Sequence, residues 1–211
     1  MIAGLTQKYR PHRITDFVGL EKPKKILSTF AANPFPSAWL FTGPPGVGKT
    51  AMALALAKEI GGELHHIPSQ KCILANVEEM VRKCYYLPFG GLYHVVLADE
   101  ADQMSNAAQL AFLSLLDATA FPPNTIFVFT CNETQRLEKR FLSRCRVVEF
   151  SSYGLNGAGS KFLEMVWNAE YRAPESRLFE DAKPDFSRIL KNSGNNLRDA
   201  LMRLEMELLS A

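Results

Sequence analysis

The sequence predicts an α/β fold in which a parallel five-stranded sheet is flanked by helices and followed by a small all-α domain. Two observations support this prediction. From Ala38 to Phe150, short apolar runs typical of buried strands alternate with helical patterns, an order that favours a parallel sheet covered by helices. After Phe150, helical patterns continue without a further buried strand. We therefore expect an α/β domain over residues 1–150 and a helical domain over residues 151–211.

The elements of the first domain follow one another regularly, because each strand but the last is followed by a helix. The predicted strands are, in chain order, SAWLFT, ELHHI, LYHVVLAD, TIFVFTCN and RVVEF. The helices between them are TAMALALAKEI, NVEEMVRKCYY, SNAAQLAFLSLLDA and a short helix near residues 137–142. Ser105 is a plausible N-cap of the third helix. The last strand, from Val147 to Phe150, is expected to be buried.

The second domain begins with a segment rich in turn-forming residues. SSYGLNGAGS predicts a linker, since glycine and serine are typical of turns. Three helical patterns follow, near residues 160–169, 184–192 and 196–209. The second domain is therefore expected to be entirely helical.

Composition and charge are those of an ordinary globular protein. Hydrophobic residues make up 47% of the chain and charged residues 22%, and the net charge of +2 does not by itself predict nucleic-acid binding. No apolar run approaches the roughly 18 residues of a membrane-spanning helix. The polar N-terminal segment does not resemble a secretory signal. We expect a cytoplasmic protein without a membrane partner, associated with the nucleoid if it is bacterial or viral.

The cysteines and histidines do not show a metal-binding pattern along the sequence. Cysteines at 72, 84, 131 and 145 form no C-x-x-C pair and have no histidine at metal-ligand spacing. The adjacent His65 and His66 would point to opposite faces of a strand. Free thiols are therefore predicted in preference to a zinc site.

A phosphate-binding loop is the strongest chemical signal in the chain. GPPGVGKT fits the pattern G-x-x-x-x-G-K followed by Thr, between a predicted strand and a predicted helix. Glycines let backbone N–H groups wrap phosphates at a helix N-terminus. Lys49 would reach the β- and γ-phosphates, and Thr50 would ligate Mg²⁺. The predicted cofactors are ATP and Mg²⁺, bound by Gly43, Pro44, Pro45, Gly46, Val47, Gly48, Lys49, Thr50 and Ala51.

Polar residues end the third and fourth predicted strands. Asp99 and Glu100 end HVVLADE, and we assign Asp99 to the metal and Glu100 to the polarisation of the attacking water. Asn132 ends TIFVFTCN, where an amide could orient water or contact the γ-phosphate. A turn-forming role for Asn132 remains open, because Asn commonly ends strands.

Seven segments in the same order resemble the AAA+ superfamily, and within it the ATPase subunits of clamp loaders. These segments are KYRPHRITDFVG, GPPGVGKT, LADEAD, AAQLAFLSLLD, TCN, LSRC and GNNLRDAL. The comparison is with the small subunits of replication factor C and the ATPase subunits of the bacterial polymerase III loader. The resemblance implies a P-loop NTPase sheet followed by a helical lid.

The resemblance also implies roles for single residues. Asn132 would be sensor 1, and Arg198 would be sensor 2, reaching from the lid to the γ-phosphate. Gln109 would link DNA contact to the ATP site. The residues expected to border the adenine base are Lys8, Tyr9, Arg10, Pro11, Phe17 and Val18.

Arg144, in LSRC, acquires its predicted role only through the resemblance. In the family this arginine is a finger directed at ATP in the neighbouring subunit, and it acts catalytically in trans. Its neighbour Arg146 is expected to be solvated, and Cys145 to be a small buried residue at the turn. From the residues alone, Arg144 would be interpreted as a solvated surface arginine.

The implied function is ATP hydrolysis in an oligomer, coupled to loading a sliding clamp on DNA during replication. The implied partners are other AAA+ subunits, identical or not, together with DNA and the clamp. Clamp loaders usually continue into a collar domain, which the segment up to Ala211 is expected to lack. The candidate DNA-contacting residues are Lys71, Arg82 and Lys83. A helicase loader or another phage- or plasmid-type replication ATPase, which would partner a replicative helicase, and a non-catalytic nucleotide-binding scaffold are the alternatives.

Overall fold

A five-stranded parallel sheet lies at the centre of the molecule. The structure is a computed structural model that describes residues 4–68, 72–152, 155–171 and 183–210. The strands are β1 (Ser37–Thr42), β2 (Glu63–Ile67), β3 (His94–Ala98), β4 (Thr125–Cys131) and β5 (Arg146–Glu149). They lie in the order β2-β3-β4-β1-β5, and every pairing is parallel. The predicted α/β fold and its five strands are confirmed.

Helices precede, separate and follow the strands. Those before and between the strands are α1 (Leu5–Lys8), α2 (Glu21–Ala32), α3 (Lys49–Ile60), α4 (Leu74–Cys84), α5 (Asn106–Leu115) and α6 (Lys139–Leu142). The C-terminal helices are α7 (Leu155–Glu170), α8 (Phe186–Asn192) and α9 (Leu197–Ser210). Ser105 caps α5 as predicted, since its side chain accepts a hydrogen bond from the Ala108 N–H. Among the described residues, no helix is long and apolar enough to cross a membrane.

Side chains of alternating strand residues fill two separate cores, one on each face of the sheet. Phe127 and Phe129 of β4 pack in the cluster that also contains the buried side of α4 and α5. Ile126 and Val128 pack on the opposite face with residues of α2 and α3. Every residue of β4 is buried, because helices cover this central strand on both faces. The sheet is thereby held rigid, and its carboxyl edge can position a site.

The last strand differs from its prediction. β5 lies at the edge of the sheet, and only Val148 is buried, whereas Val147 is 48% exposed. An edge strand has a single neighbouring strand, so the expectation of a buried strand is wrong. Arg146 is exposed, but its guanidinium carbon also lies 5.0 Å from the centroid of the Phe35 ring, within the range of a cation–π contact.

The helical region, which we call the lid, is α7 to α9. Its core includes Leu163, Trp167 and Leu204, and Leu5 of α1 joins them. The predicted linker is helical in its second half, because α7 already begins at Leu155. A β-carbon on Gly159 would lie 2.7 Å from Leu190 Cδ2, so this glycine allows two helices to pack closely instead of forming a turn. Residues 153 and 154 of the predicted linker lie outside the described residues.

Candidate active site

A cavity of about 570 Å³ lies at the carboxyl edge of the sheet, between the phosphate loop and the lid. In open α/β sheets, ligands bind at this edge. The predicted site residues that line it are Tyr9, Arg10, Pro11, Phe17, Val18, Pro45, Gly46, Val47, Gly48, Lys49, Thr50, Ala51, Asp99, Glu100, Asn132 and Arg198. Lys8, Gly43, Pro44 and Arg144 are the predicted residues that do not line it.

The loop from Gly43 to Gly48 depends on backbone conformations that favour glycine. Gly43 has φ 147°, and a β-carbon there would lie 2.1 Å from the Phe150 carbonyl oxygen. Gly46 has φ 78° and packs against Asn196 of the lid region. The loop leads into the first turn of α3 at Lys49, where unpaired N–H groups favour an anion.

Lys49 is held by oxygen atoms inside the loop. Its Nζ donates to the carbonyl oxygens of Gly43 at 2.7 Å and Pro44 at 2.8 Å, and to Asn132 Oδ1 at 3.0 Å. Gly43 and Pro44 therefore contribute to the site through their backbones. Burial lowers the pKa of the Lys49 ammonium. An anion would stabilise this half-desolvated cation, so the pocket suits phosphate.

Oxygen atoms from three elements meet beside the start of α3. The Thr50 hydroxyl donates to Asp99 Oδ1 at 2.8 Å, and the Thr130 hydroxyl donates to the same oxygen at 2.5 Å. Hydroxyl and carboxylate oxygens are the ligands that Mg²⁺ prefers, so Thr50 and Asp99 fit the metal role. Sequence reasoning missed Thr130. Its position in β4, two residues before Asn132 and on the same face, is the signal that could have identified it.

Glu100 adopts a backbone conformation that is unusual for its residue type. Its φ is 51° and its ψ 54°, in the left-handed region. Its N–H donates to the Thr130 hydroxyl at 3.0 Å, so one threonine contacts both acidic residues of the motif. Strained backbone of this kind is concentrated at functional sites. The conformation leaves the Glu100 side chain exposed at the cavity.

The lid region contributes Arg198 to the cavity and Asn196 to a contact with the phosphate loop. Arg198 lines it, and its N–H donates to Asn196 Oδ1 at 3.0 Å. Asn196 Nδ2 in turn donates to the Pro45 carbonyl oxygen at 3.4 Å. Asn196 therefore caps α9 and contacts the phosphate loop through one side chain. No motif on the sequence indicated this second contact.

The N-terminal segment supplies one wall of the cavity. Tyr9 lines it, and its hydroxyl donates a short hydrogen bond to Glu170 of α7. Burial, followed by this bond, raises the pKa of Tyr9 to about 12. Lys8 Nζ lies 2.7 Å from Glu170 Oε1. The ion pair directs Lys8 towards α7, away from the cavity that it was expected to border.

Arg144 lies outside its own chain's cavity, two residues after α6. Its guanidinium donates to the Arg140 carbonyl oxygen at 3.2 Å and to Asp117 Oδ2 at 3.4 Å. The Arg144 side chain remains 32% exposed. The pKa of Asp117 is lowered mainly by hydrogen bonds from Thr119, and also by Arg144. Burial raises the pKa of the neighbouring Cys145 to about 12, so its thiol is neutral.

The comparison of sequences identifies the family. Residues 39–153, more than half of the chain, match the family described as ATPase family associated with various cellular activities (AAA). The chain belongs to this family and contains an AAA ATPase domain.

Within this family, the chain is similar to small subunits of replication factor C. The replication factor C small subunit of Natronomonas pharaonis is 34% identical over 155 residues, which cover 70% of this chain and 47% of that protein. Small subunit 1 of Pyrobaculum islandicum is 35% identical over 153 residues, covering 69% of this chain and 46% of that protein. The small subunit of Picrophilus torridus is 29% identical over 188 residues, covering 84% and 58%. This chain thus spans about half the length of these relatives.

Solved structures agree on the fold. The RuvB Holliday junction branch migration motor of Thermotoga maritima superposes with a TM-score of 0.73, covering 93% of this chain and 64% of that one. Sequence identity in this comparison is 20%, so it shows a shared fold alone.

Proposed function

We propose that the chain binds ATP and Mg²⁺ and hydrolyses ATP as a module of the clamp-loader type. In an oligomer with other AAA+ subunits, binding and hydrolysis would be coupled to loading a sliding clamp on DNA during replication. The observation that carries the proposal is the convergence of Lys49, Thr50 and Asp99 in one cavity that Arg198 of the lid also lines.

Lys49 and Asn132 would act on the phosphate chain. In the structure the Lys49 ammonium is bonded to two loop carbonyl oxygens and to Asn132. Phosphate oxygens are stronger acceptors for an ammonium group than neutral carbonyl oxygens are. Lys49 would exchange part of these contacts for the β- and γ-phosphates, and Asn132 would then be free to orient the γ-phosphate or water.

Thr50 and Asp99 would hold Mg²⁺. When bound, this ion neutralises charge on the β- and γ-phosphates. Thr130 would position both acidic residues, since its hydroxyl contacts the Asp99 carboxylate and the Glu100 N–H. Glu100, exposed at the cavity, would polarise the attacking water and accept its proton. Arg198 would contact the γ-phosphate from the lid.

Arg144 would complete a neighbouring subunit's site. Its location outside its own cavity and its partly exposed guanidinium support a role in trans. Positive charge at the transferred phosphoryl group accelerates this chemistry by about 10³- to 10⁵-fold. Hydrolysis would then require contact between subunits.

An exposed apolar loop supports a protein partner. The loop of residues 85–92, which we call the apolar loop, follows α4. Four of its side chains are more than three-quarters exposed: Tyr86 77%, Leu87 85%, Phe89 96% and Leu92 78%. Exposed apolar groups of this density mark interaction sites. A sliding clamp is the proposed partner, and a replicative helicase is the alternative that a binding assay separates.

Direct DNA contact rests on fewer observations. Lys83 Nζ lies 3.1 Å from Glu79 Oε1 on the same helix, so part of its charge is compensated. Arg82 is exposed, and Lys71 lies outside the described residues. DNA binding therefore stays a proposal that follows from the clamp-loading function.

The isosteric variant Glu100→Gln tests the hydrolysis proposal. It should lower steady-state ATP turnover by about 10²- to 10⁴-fold, because the base is lost while the shape is retained. ATP affinity, measured with a fluorescent analogue, should change little. Glu133→Gln, an exposed glutamate near the end of β4, is the matched control and should keep wild-type turnover. Unchanged turnover in Glu100→Gln would contradict the role of Glu100 as the base, whereas no turnover in the wild type would favour the non-catalytic scaffold.

Phe89→Ser tests the partner surface. Loss of a central apolar anchor should weaken capture of a purified sliding clamp by about 10-fold or more, with basal ATP turnover retained. Leu209→Ser, at 79% exposure on α9, is the control and should bind normally. Capture of a replicative helicase in place of the clamp would support the helicase-loader alternative.

A further inference from the structure

A second cluster of ligand-type side chains lies away from the ATP cavity, at the corner formed by β2, β3 and the end of α4. One ligand atom each of His65, Cys84 and His94 lies within 4.8 Å of the others. Glu63 adjoins them, because it is paired directly with His94 across the two strands. We call these four residues the β2–α4 cluster.

The topology explains why the four residues meet. Glu63 and His65 are two positions apart on β2 and therefore share a face of the sheet. His94 begins β3 on that same face, which α4 covers through a core that includes Val96 and Cys84. Cys84 is the last residue of α4, so the helix delivers its thiol to the edge of the sheet.

The hydrogen bonds of His94 orient its ring towards the cluster. His94 is 2% exposed, and its Nε2 lies 3.0 Å from the Tyr86 carbonyl oxygen. A carbonyl can only accept, so Nε2 carries the proton and Nδ1 carries the lone pair. Nδ1 lies 2.9 Å from His65 Nε2. Metal-binding histidines commonly use the second nitrogen in this way, as a donor to a carbonyl.

Glu63 lies beside the three mutually close ligands and is the candidate for a fourth donor. Its Oε1 lies 3.8 Å from His65 Nε2, and its Oε2 lies 3.7 Å from His94 Nδ1. Oε2 also accepts a hydrogen bond from the Phe89 N–H at 2.5 Å, which fixes the carboxylate. Two imidazoles and one thiol therefore lie close together, and the carboxylate could complete a set of four donors.

We propose that the β2–α4 cluster is a structural site for a tetrahedral transition-metal ion, with Zn²⁺ as its natural occupant. Imidazole and thiolate ligands select Zn²⁺ over the hard ion Mg²⁺. Two nitrogens bonded to one tetrahedral Zn²⁺ lie about 3.3 Å apart, given bonds of about 2.0–2.1 Å. The two imidazole nitrogens are 2.9 Å apart, so the rings of His65 and His94 need to move only slightly apart to bind one ion.

The cluster is reachable from solvent. His65 lines a surface cavity of about 350 Å³ that His66, Glu79 and Lys83 also line. An ion can therefore approach His65 while Cys84 and His94 remain buried, and a metal site requires such a route.

Metal binding here would stabilise the apolar loop. That loop begins immediately after Cys84, its Tyr86 carbonyl holds His94, and its Phe89 N–H holds Glu63. An ion in the cluster would fix the edge strand, the end of α4 and both of these loop contacts together. The amide of Phe89 should then exchange more slowly with deuterium when Zn²⁺ is present.

The test is a metal titration of the purified full chain after chelator treatment. Excess Mg²⁺ is present so that it competes with Zn²⁺ for the oxygen ligands of the ATP site. We expect one Zn²⁺ per chain and a rise in Tm. Co²⁺, as a spectroscopic probe, should give intense tetrahedral visible bands with a thiolate-to-cobalt charge-transfer band. His94→Gln and Cys84→Ala should weaken Zn²⁺ binding by more than the roughly 10- to 100-fold lost with an outer-shell partner.

Matched controls and the wild type keep the proposal falsifiable. His12→Gln replaces an exposed histidine and Cys72→Ala a buried cysteine outside the cluster, and both should retain wild-type affinity. If the cluster variants fail to fold, the wild-type cobalt spectrum decides alone. Weak octahedral bands, no charge-transfer band, or no bound Zn²⁺ would overturn the proposal and leave a hydrogen-bonded polar cluster.

Discussion

The ATP cavity and the β2–α4 cluster are both polar sites on the same sheet, but they are built differently. The cavity measures about 570 Å³, and Lys49 within it is bonded to backbone carbonyls and an amide. In the cluster, His94 and Cys84 are almost completely buried, and the nitrogens of His65 and His94 are already in contact. The first site has room for a ligand of many atoms, whereas the second would have to open slightly to hold the single ion that we propose.

The difference indicates two uses of polar groups. Bonds from Lys49 to neutral oxygens can be exchanged for bonds to phosphate, so a ligand can enter and leave repeatedly. Buried imidazole and thiol groups held by backbone contacts favour one permanent arrangement. Variants should therefore separate the sites: turnover should follow the cavity, and Tm in the presence of Zn²⁺ should follow the cluster.

The largest effect on turnover is expected from Arg144→Ala. ATP hydrolysis by the oligomer should fall by about 10³- to 10⁵-fold, because the charge supplied in trans is lost. ATP affinity and Zn²⁺ affinity should stay at wild-type values, as fluorescence and calorimetric titrations would show. Arg140→Ala, on the preceding helix, is the control and keeps the backbone carbonyl that Arg144 uses. Wild-type turnover in Arg144→Ala would rule out the role in trans.

A smaller effect is expected from Thr130→Val, which removes one hydroxyl at nearly constant shape. Asp99 and Glu100 both lose a partner, so Mg²⁺-dependent turnover should fall by about 10- to 100-fold, the range typical of outer-shell partners of a metal. The Mg²⁺ concentration at half-maximal turnover should rise. Thr125→Val, at the opposite end of β4, should leave that concentration unchanged. An equal rise in both variants would mean that strand stability, and not positioning of the acids, is responsible.

The smallest effect is expected from Asn196→Ala. Removing the N-cap of α9 should lower the free energy of unfolding by about 1 kcal/mol, measured in urea. Because the contact with the Pro45 carbonyl is also lost, the affinity for ATP should decrease modestly. Asn196→Ser separates the two effects, since serine can cap the helix but is too short to reach the loop. If Asn196→Ser restores ATP affinity as well as stability, the loop contact does not matter for binding.

Residues within continuous motifs could be predicted from the sequence. The phosphate loop, the acids that end β3 and the amide that follows β4 are each adjacent to a strongly apolar strand, and parallel strands bring their carboxyl ends to one edge. The five strands were recognisable for the same reason, since apolar runs between helical patterns leave few alternatives. Accordingly, Thr50 contacts Asp99, Lys49 contacts Asn132, and all four residues line one cavity.

Features that depend on contacts between distant segments could not be predicted. The edge position of β5 follows from strand order, which the pattern RVVEF does not encode. The cluster of His65, Cys84 and His94 follows from the register of β2 on β3 and from where α4 ends. Along the sequence Gly159 is typical of a turn, whereas in the structure Leu190 packs against it. Spacing along the chain contains none of this information.

The contact between Arg144 and Asp117 has a consequence for assembly. A flexible, solvent-exposed arginine loses side-chain conformational entropy when another chain immobilises it, and this loss weakens association. Arg144 is already restrained by Asp117 and by the Arg140 carbonyl, yet the ion pair is exposed and therefore weak. If Arg144 acts in trans as proposed, it would be partly ordered before it meets a neighbouring subunit and could still leave Asp117. A substitution of Asp117 would therefore change how strongly neighbouring subunits associate, while the proposed catalytic group, Arg144, stays the same.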